Sequence, residues 1–119
     1  MILIAHNIRS LHYVGAIFRS ADVFDVEKIY LTGYTGTPPR KEIAKVSLGS
    51  EHAVDWEYKE DVFELIDSLK KEGVKIVALE NGKGSVDIAT YKFDTSIALV
   101  LGSEVEGISP ELLEQIEDQ

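Results

Sequence analysis

Five consecutive apolar residues, Ile97–Leu101 (IALVL), run into GSEVEGIS and a Ser109-Pro110 pair. A strand apolar on both faces must be covered on both faces, which is the condition of an interior strand in a parallel sheet. Parallel strands need long crossover connections, usually helical. The rest of the chain supplies them in alternation. Residues 2–5 (ILIA), Lys28–Thr32 (KIYLT), residues 53–56 (AVDW) and residues 74–79 (VKIVAL) read as further strands. A helical repeat covers residues 14–24, 61–71 and, more briefly, 41–46. Val62, Leu65, Ile66 and Leu69 line one face of the second, and Gly73 stops it. Ser109 is placed to cap a last helix with Pro110 at its first position. The expected class is α/β: one domain over residues 1–119, with a Rossmann-like, mainly parallel sheet.

Composition narrows the function. The 119 residues contain no cysteine, so disulfides and thiolate metal sites are excluded, which fits a reducing cytoplasm. His6, His12 and His52 show no metal-ligand spacing, and no metal is expected. No segment has the length of a membrane span, and the apolar start MILIA is too short for a signal peptide. A net charge of −9 argues against indiscriminate binding to nucleic acid. The charge is uneven, however. Residues 1–50 carry six basic and four acidic side chains, residues 51–119 six and seventeen. A polyanion would meet the N-terminal half, through Arg9, Arg19, Arg40, Lys41 and Lys45.

Ligands of parallel sheets sit beyond the carboxyl ends of the strands. Three loops qualify: residues 6–13, 80–85 and 102–108. In the last, Gly102 and Gly107 allow close backbone approach to a flat ligand. The spacing is neither a dinucleotide fingerprint nor a phosphate loop, and Glu104 and Glu106 would repel phosphate. An ordinary strand-to-helix turn is equally compatible with these residues. The stretch GAIFRSAD, residues 15–22, poses a second question. Val14, Ile17, Phe18, Ala21 and Phe24 form the apolar stripe of its helix, and Arg19 lies off that stripe. Helical side chains lean toward the N-terminus, so Arg19 would lie over Gly15, which has no side chain to block it. Either Arg19 reaches toward the start of the helix, or it is a solvated arginine paired with Asp22.

Residues 15–22 resemble the first motif of the SpoU (TrmH-type) class of the SPOUT superfamily, and LVLGSEVEGIS, residues 99–109, resembles the second. NIRS (7–10), EKIYLTGYT (27–35) and KVSLGSE (45–51) fit between them, so the resemblance covers nearly the whole chain. It implies a SPOUT-type α/β knot fold, a homodimer, and transfer of a methyl group from S-adenosylmethionine to a ribose 2′-hydroxyl of tRNA or rRNA. It assigns Arg19 and Glu104 to catalysis. Arginine is a poor proton acceptor, so Arg19 would bind phosphate and stabilise the developing alkoxide. Leu79, Glu80, Leu101, Gly102, Gly107 and Ile108 would line the cofactor cleft. Asn7, Arg9, Arg40 and Lys41 would face RNA, with a turn or cap role equally open to Asn7 and a plain surface charge to Arg9.

The chain departs from the family pattern in three places. Tyr13 stands where the first motif commonly has asparagine. Residues 23–25 are Val-Phe-Asp where small residues are frequent. The third motif, an apolar strand leading into Pro and Ser-Leu-Asn, does not occur. A C-terminally truncated domain is therefore expected, with an edge and an apolar face left open beside Ile97–Leu101 and weak cofactor binding. The alternative function is a non-catalytic RNA-binding or dimerising piece of the same fold; an unrelated nucleotide-binding module is a third reading.

Overall fold

The computed structural model describes residues 1–79, 96–103 and 107–117. Alternation along the strands decides the layers. In β1 (Ile2–His6), Leu3 and Ala5 enter one apolar core while Ile2 and Ile4 enter another. β2 (Lys28–Thr32) repeats this with Ile29 and Leu31 against Tyr30. β5 (Ile97–Leu101) repeats it with Ile97, Leu99 and Leu101 against Ala98 and Val100. With β3 (Trp56–Lys59) and β4 (Lys75–Ala78) they form a parallel sheet in the order β3-β2-β1-β5-β4.

Helices cover both faces. α1 (Leu11–Val23) presents Val14, Ile17, Phe18 and Ala21 to the first core, with α2 (Lys41–Ser47) contributing Ile43. α3 (Val62–Lys71) and α4 (Pro110–Glu117) cover the second, through Val62, Leu65, Ile66, Leu69, Leu112 and Ile116. The caps are the expected ones. Asp61 accepts from the amides of Phe63 and Glu64, and Ser109 accepts from that of Leu112. α1 starts three residues before the apolar repeat, because Ser10 caps it by accepting from the Tyr13 amide at 3.0 Å. Among the described residues no helix is long and apolar enough to cross a membrane.

Three expectations need correction. The third strand is Trp56–Lys59, not residues 53–56. A 3₁₀ turn (Ser50–His52) precedes it, and Val54 is buried as a core contact rather than as a strand residue. The paired segment is the polar WEYK. This suits an edge strand, where charges discourage further pairing; Glu57 is bonded by Lys28 at 2.8 Å and Lys59 at 2.9 Å. Second, β5 is not left open. It pairs with β1 and β4, and all five of its residues are buried; among the described strands the edges are β3 and β4.

Third, Gly15 does not clear a path for Arg19; it seats α2. A Cβ there would stand 2.6 Å from the Ile43 carbonyl oxygen, 2.9 Å from Val46 Cβ and 3.2 Å from the Ser47 nitrogen. Gly15→Ala thus sets a helix-propensity gain of about 1 kcal/mol against overlap with backbone that no rotamer change relieves. Overpacking costs about 1–3 kcal/mol, so chemical denaturation should show a net loss of stability. A stabilised variant would mean that α2 shifts freely.

Candidate active-site rim

From β1 the chain winds outward through β2 to β3, then crosses to β4 and returns to β5 beside β1. The winding direction reverses between β1 and β5, and a parallel sheet opens its ligand crevice at that reversal, beyond the carboxyl ends of the strands. Ala5 and Leu101 are register partners there. The segments leaving the crevice are 6–10 and 102–108, two of the three loops expected from sequence. Leu79 N donates to Val100 O at 3.0 Å, bringing the end of β4 alongside.

On the β5 side the chain turns back on itself. Ser103 and Gly107 form an antiparallel bridge, with Gly107 N donating to Ser103 O at 2.8 Å. Both glycines are required. Gly107 has φ +70°, and a Cβ on Gly102 would meet the Gly107 carbonyl carbon at 2.7 Å and Ile108 Cγ1 at 2.6 Å. Leu79 and Leu101 are buried on the α1 side of the sheet, whereas Ile108 packs with the α3–α4 core. The expected cofactor residues Leu79, Leu101, Gly102, Gly107 and Ile108 thus gather at one end of β4 and β5, on both faces. Glu80 and Glu104 lie outside the described residues.

On the β1 side a network joins segment 6–10 to the β2–α2 connection. Asn7, at φ +55°, donates its backbone N–H to Thr32 O at 3.2 Å, and its Oδ1 accepts from Tyr34 N at 3.1 Å. That side chain occupies the position a Cβ on Gly33 would take. Thr35 Oγ1 accepts from Ile8 N at 3.0 Å and donates to Ala5 O at 3.1 Å. The half-buried His6 has Nδ1 2.9 Å from Thr32 Oγ1, and that hydroxyl lies 3.4 Å from Ala5 O. Burial holds His6 below the usual histidine range. Sequence reasoning missed Thr32, Tyr34 and Thr35. The signal was there: KIYLTGYT places two threonines around a glycine just where an apolar strand ends.

The expected RNA-facing residues divide. Asn7 is a clasp between two loops. Arg9 is exposed, with Nε 3.4 Å from the Tyr34 hydroxyl and Cζ 5.7 Å from the centre of that ring. Arg40 and Lys41 are exposed at the start of α2. Tyr13 packs partly buried against the α1-side core. Arg19 is exposed on the outer face of α1 and has no hydrogen-bond or ion-pair partner among the described residues; the pair with Asp22 does not form. It sits eight residues beyond Leu11, which touches Gly36 of the rim, or about 12 Å along the helix axis. Nothing described joins it to the 102–108 turn. At the far corner a cavity of about 470 Å³ is lined by Lys59, Glu60, Asp61, Glu64, Leu65 and Ser68. No group of histidine and carboxylate side chains among the described residues is arranged to hold a metal ion.

A parallel sheet with a glycine-dependent turn at its reversal defines a doubly wound α/β domain. The match to known proteins is more specific: the chain belongs to the SpoU rRNA Methylase family, which covers residues 1–119. The tRNA (guanosine(18)-2′-O)-methyltransferase of Aquifex aeolicus is 30% identical over 115 residues, which is 96% of this chain and 54% of that protein. The crystal structure of the A. aeolicus TrmH/SpoU tRNA modifying enzyme superposes with a TM-score of 0.74 at 28% identity, covering 95% of this chain and 57% of that one. The AdoMet-bound rRNA methyltransferase from Sinorhizobium meliloti gives 0.77 at 27% identity, covering 95% and 43%. The chain spans about half the length of the curated relatives it matches.

His6 yields a pH prediction. Its folded pKa lies below its unfolded value of about 6.5. Between the two the unfolded chain binds more protons, so stability falls as pH drops through that window and is intact above it. His6→Asn keeps a polar side chain facing Thr32 but cannot titrate. Denaturation midpoints followed from neutral pH to about pH 5 should fall less steeply for the variant; identical slopes would remove His6 as the cause.

Proposed function

We propose that residues 1–119 act as one SpoU-type domain of an S-adenosylmethionine-dependent RNA methyltransferase, modifying a ribose 2′-hydroxyl of tRNA or rRNA. The observation that carries this reading is the 102–108 turn at the β1/β5 reversal, in a chain of this family. The residues present suit the cofactor. Leu79 and Leu101 put apolar side chains at the strand ends, and the turn offers peptide groups around two glycines. Leu79, Glu80, Leu101, Gly102, Gly107 and Ile108 would hold it, and when bound it supplies an electrophilic methyl group.

Arg19 is the proposed catalytic cation and Glu104 its orienting carboxylate. Arg19 would neutralise the 2′-oxygen as charge develops and hold the adjacent phosphate. Asn7, Arg9, Arg40 and Lys41 are the proposed RNA contacts, with Asn7 acting through the loop it clasps. The exposure of Arg19 and its distance along α1 from the rim favour a homodimer, in which it serves the turn of the partner. A cytoplasmic location is proposed on the absence of cysteine. The same isolation of Arg19 is what favours the second reading, a non-catalytic RNA-binding or dimerising domain.

Calorimetry with S-adenosylmethionine separates the two. Under the first reading the chain binds the cofactor, and Gly102→Val, which fills the turn, removes that binding. In a version of the domain that carries the third motif, Arg19→Ala should lower methyl transfer by about 10²-fold or more while leaving cofactor affinity and melting temperature unchanged. Arg40→Glu with Lys41→Glu should weaken RNA binding and flatten its salt dependence. RNA binding without any cofactor heat would select the second reading.

A further inference from the structure

Tyr34 is a large aromatic side chain left 51% exposed on the carboxyl rim of the sheet. No core needs it there, yet the backbone beneath it is held from every side. Its own N–H is bonded by Asn7 Oδ1. The preceding Gly33 donates to Glu60 O at 3.4 Å and accepts from the Tyr58 hydroxyl at 2.6 Å. The following Thr35 donates its N–H to Thr32 O at 3.3 Å and, through its buried hydroxyl, braces Ala5 and Ile8. Arg9 lies against the ring. A tyrosine at a loop tip normally pays ordering entropy on contact with a ligand; here that cost is met in the fold.

We propose that Tyr34, with Arg9 beside it, is a stacking platform for one unpaired base of the RNA. This deepens the reading given under Proposed function and rests on it. Unpaired bases are recognised by stacking on aromatic rings and on guanidinium planes, and a tyrosine–arginine pair offers both. The charges around it argue for a base rather than a run of phosphates. Lys59, at the carboxyl end of β3, is bonded to Glu57, and the next corner of the rim carries Glu60, Asp61 and Glu64. The strand would contact this spot by the face of a base and lay its phosphates toward the basic N-terminal half. Asn7 is a positioning residue, acting through the Tyr34 backbone.

The test uses the full chain with short unstructured oligoadenosine and oligouridine and a duplex of the same length, followed by fluorescence anisotropy. Single strands should bind more tightly than the duplex, and oligoadenosine more tightly than oligouridine. Tyr34→Ala should weaken single-strand binding about 5- to 150-fold, the worth of one stacked base, with an unchanged salt slope. Tyr34→Phe should retain the affinity. Melting temperatures should stay level, because the bond to Asn7 comes from the backbone. Equal affinity of Tyr34→Ala and wild type would overturn the platform, as would a loss that flattens the salt slope or an absence of single-strand binding in the wild type. Cofactor calorimetry on the same proteins keeps the two readings apart. Cofactor binding with an indifferent Tyr34 sinks the platform alone, and Tyr34-dependent binding without cofactor heat supports the platform while the methyltransferase reading fails.

Discussion

Strand β1 is the middle one of the five described strands, and its second neighbour, β5, lies far along the chain, Ile2 pairing with Ala98. Leu3 pairs with Leu99 and Ala5 with Leu101. A parallel pair cannot be closed by a tight turn, and the loop-closure entropy is recovered only when both faces of both strands are covered. The sequence meets this condition with residues that are apolar in every direction: Leu3, Ile4, Ala5, Ala98, Leu99 and Val100 have no measurable exposure. The same pairing creates the reversal of winding, so the contact that completes the core also forms the crevice.

What happens at the crevice follows from how its two loops are braced. The β5 loop is closed by the Ser103–Gly107 bridge, with Gly102 packed against Gly107 and Ile108. The β1 loop is fixed by another loop, through Asn7, Thr32 and Thr35, and both Asn7 and Gly33 adopt positive φ to make the fit. Such conformations persist only where the surroundings over-determine them. A substitution at Gly33 would therefore displace Asn7 and release Tyr34, although Gly33 itself touches no ligand.

This division explains what could be read from the sequence. IALVL, the Ser109-Pro110 start of α4 and the α3 stripe are local patterns, and each lies where the pattern puts it, as do both glycines of the 102–108 turn. β3 was misplaced because an edge strand loses the apolar alternation that marks an interior one; WEYK is legible as a strand only once Ile29 and Leu31 are beside it. Gly15 was misread because the group it accommodates, the Ile43 carbonyl, is 28 positions away and belongs to the backbone. The Asn7–Tyr34 clasp joins residues 27 apart by a side-chain-to-backbone bond, which no periodicity records.

Arg19 shows how the fold bears on the proposed chemistry. Reacting groups must approach to roughly 3–3.5 Å, and the methyl donor would sit at the strand ends. α1 runs away from those ends, and its inner face is committed to the core by Val14, Ile17, Phe18 and Ala21, with Gly15 committed to α2. The helix cannot slide toward the rim to carry Arg19 there without breaking that packing, because a shift of one turn would drive side chains into the space Gly15 leaves for Ile43. If Arg19 acts on the ribose, the ribose must be brought to the outer face of α1 by a second body that carries the cofactor turn. Among the described residues nothing meets Arg19, and this is why the catalytic reading is proposed with a site shared between two copies, while a non-catalytic domain needs no such partner.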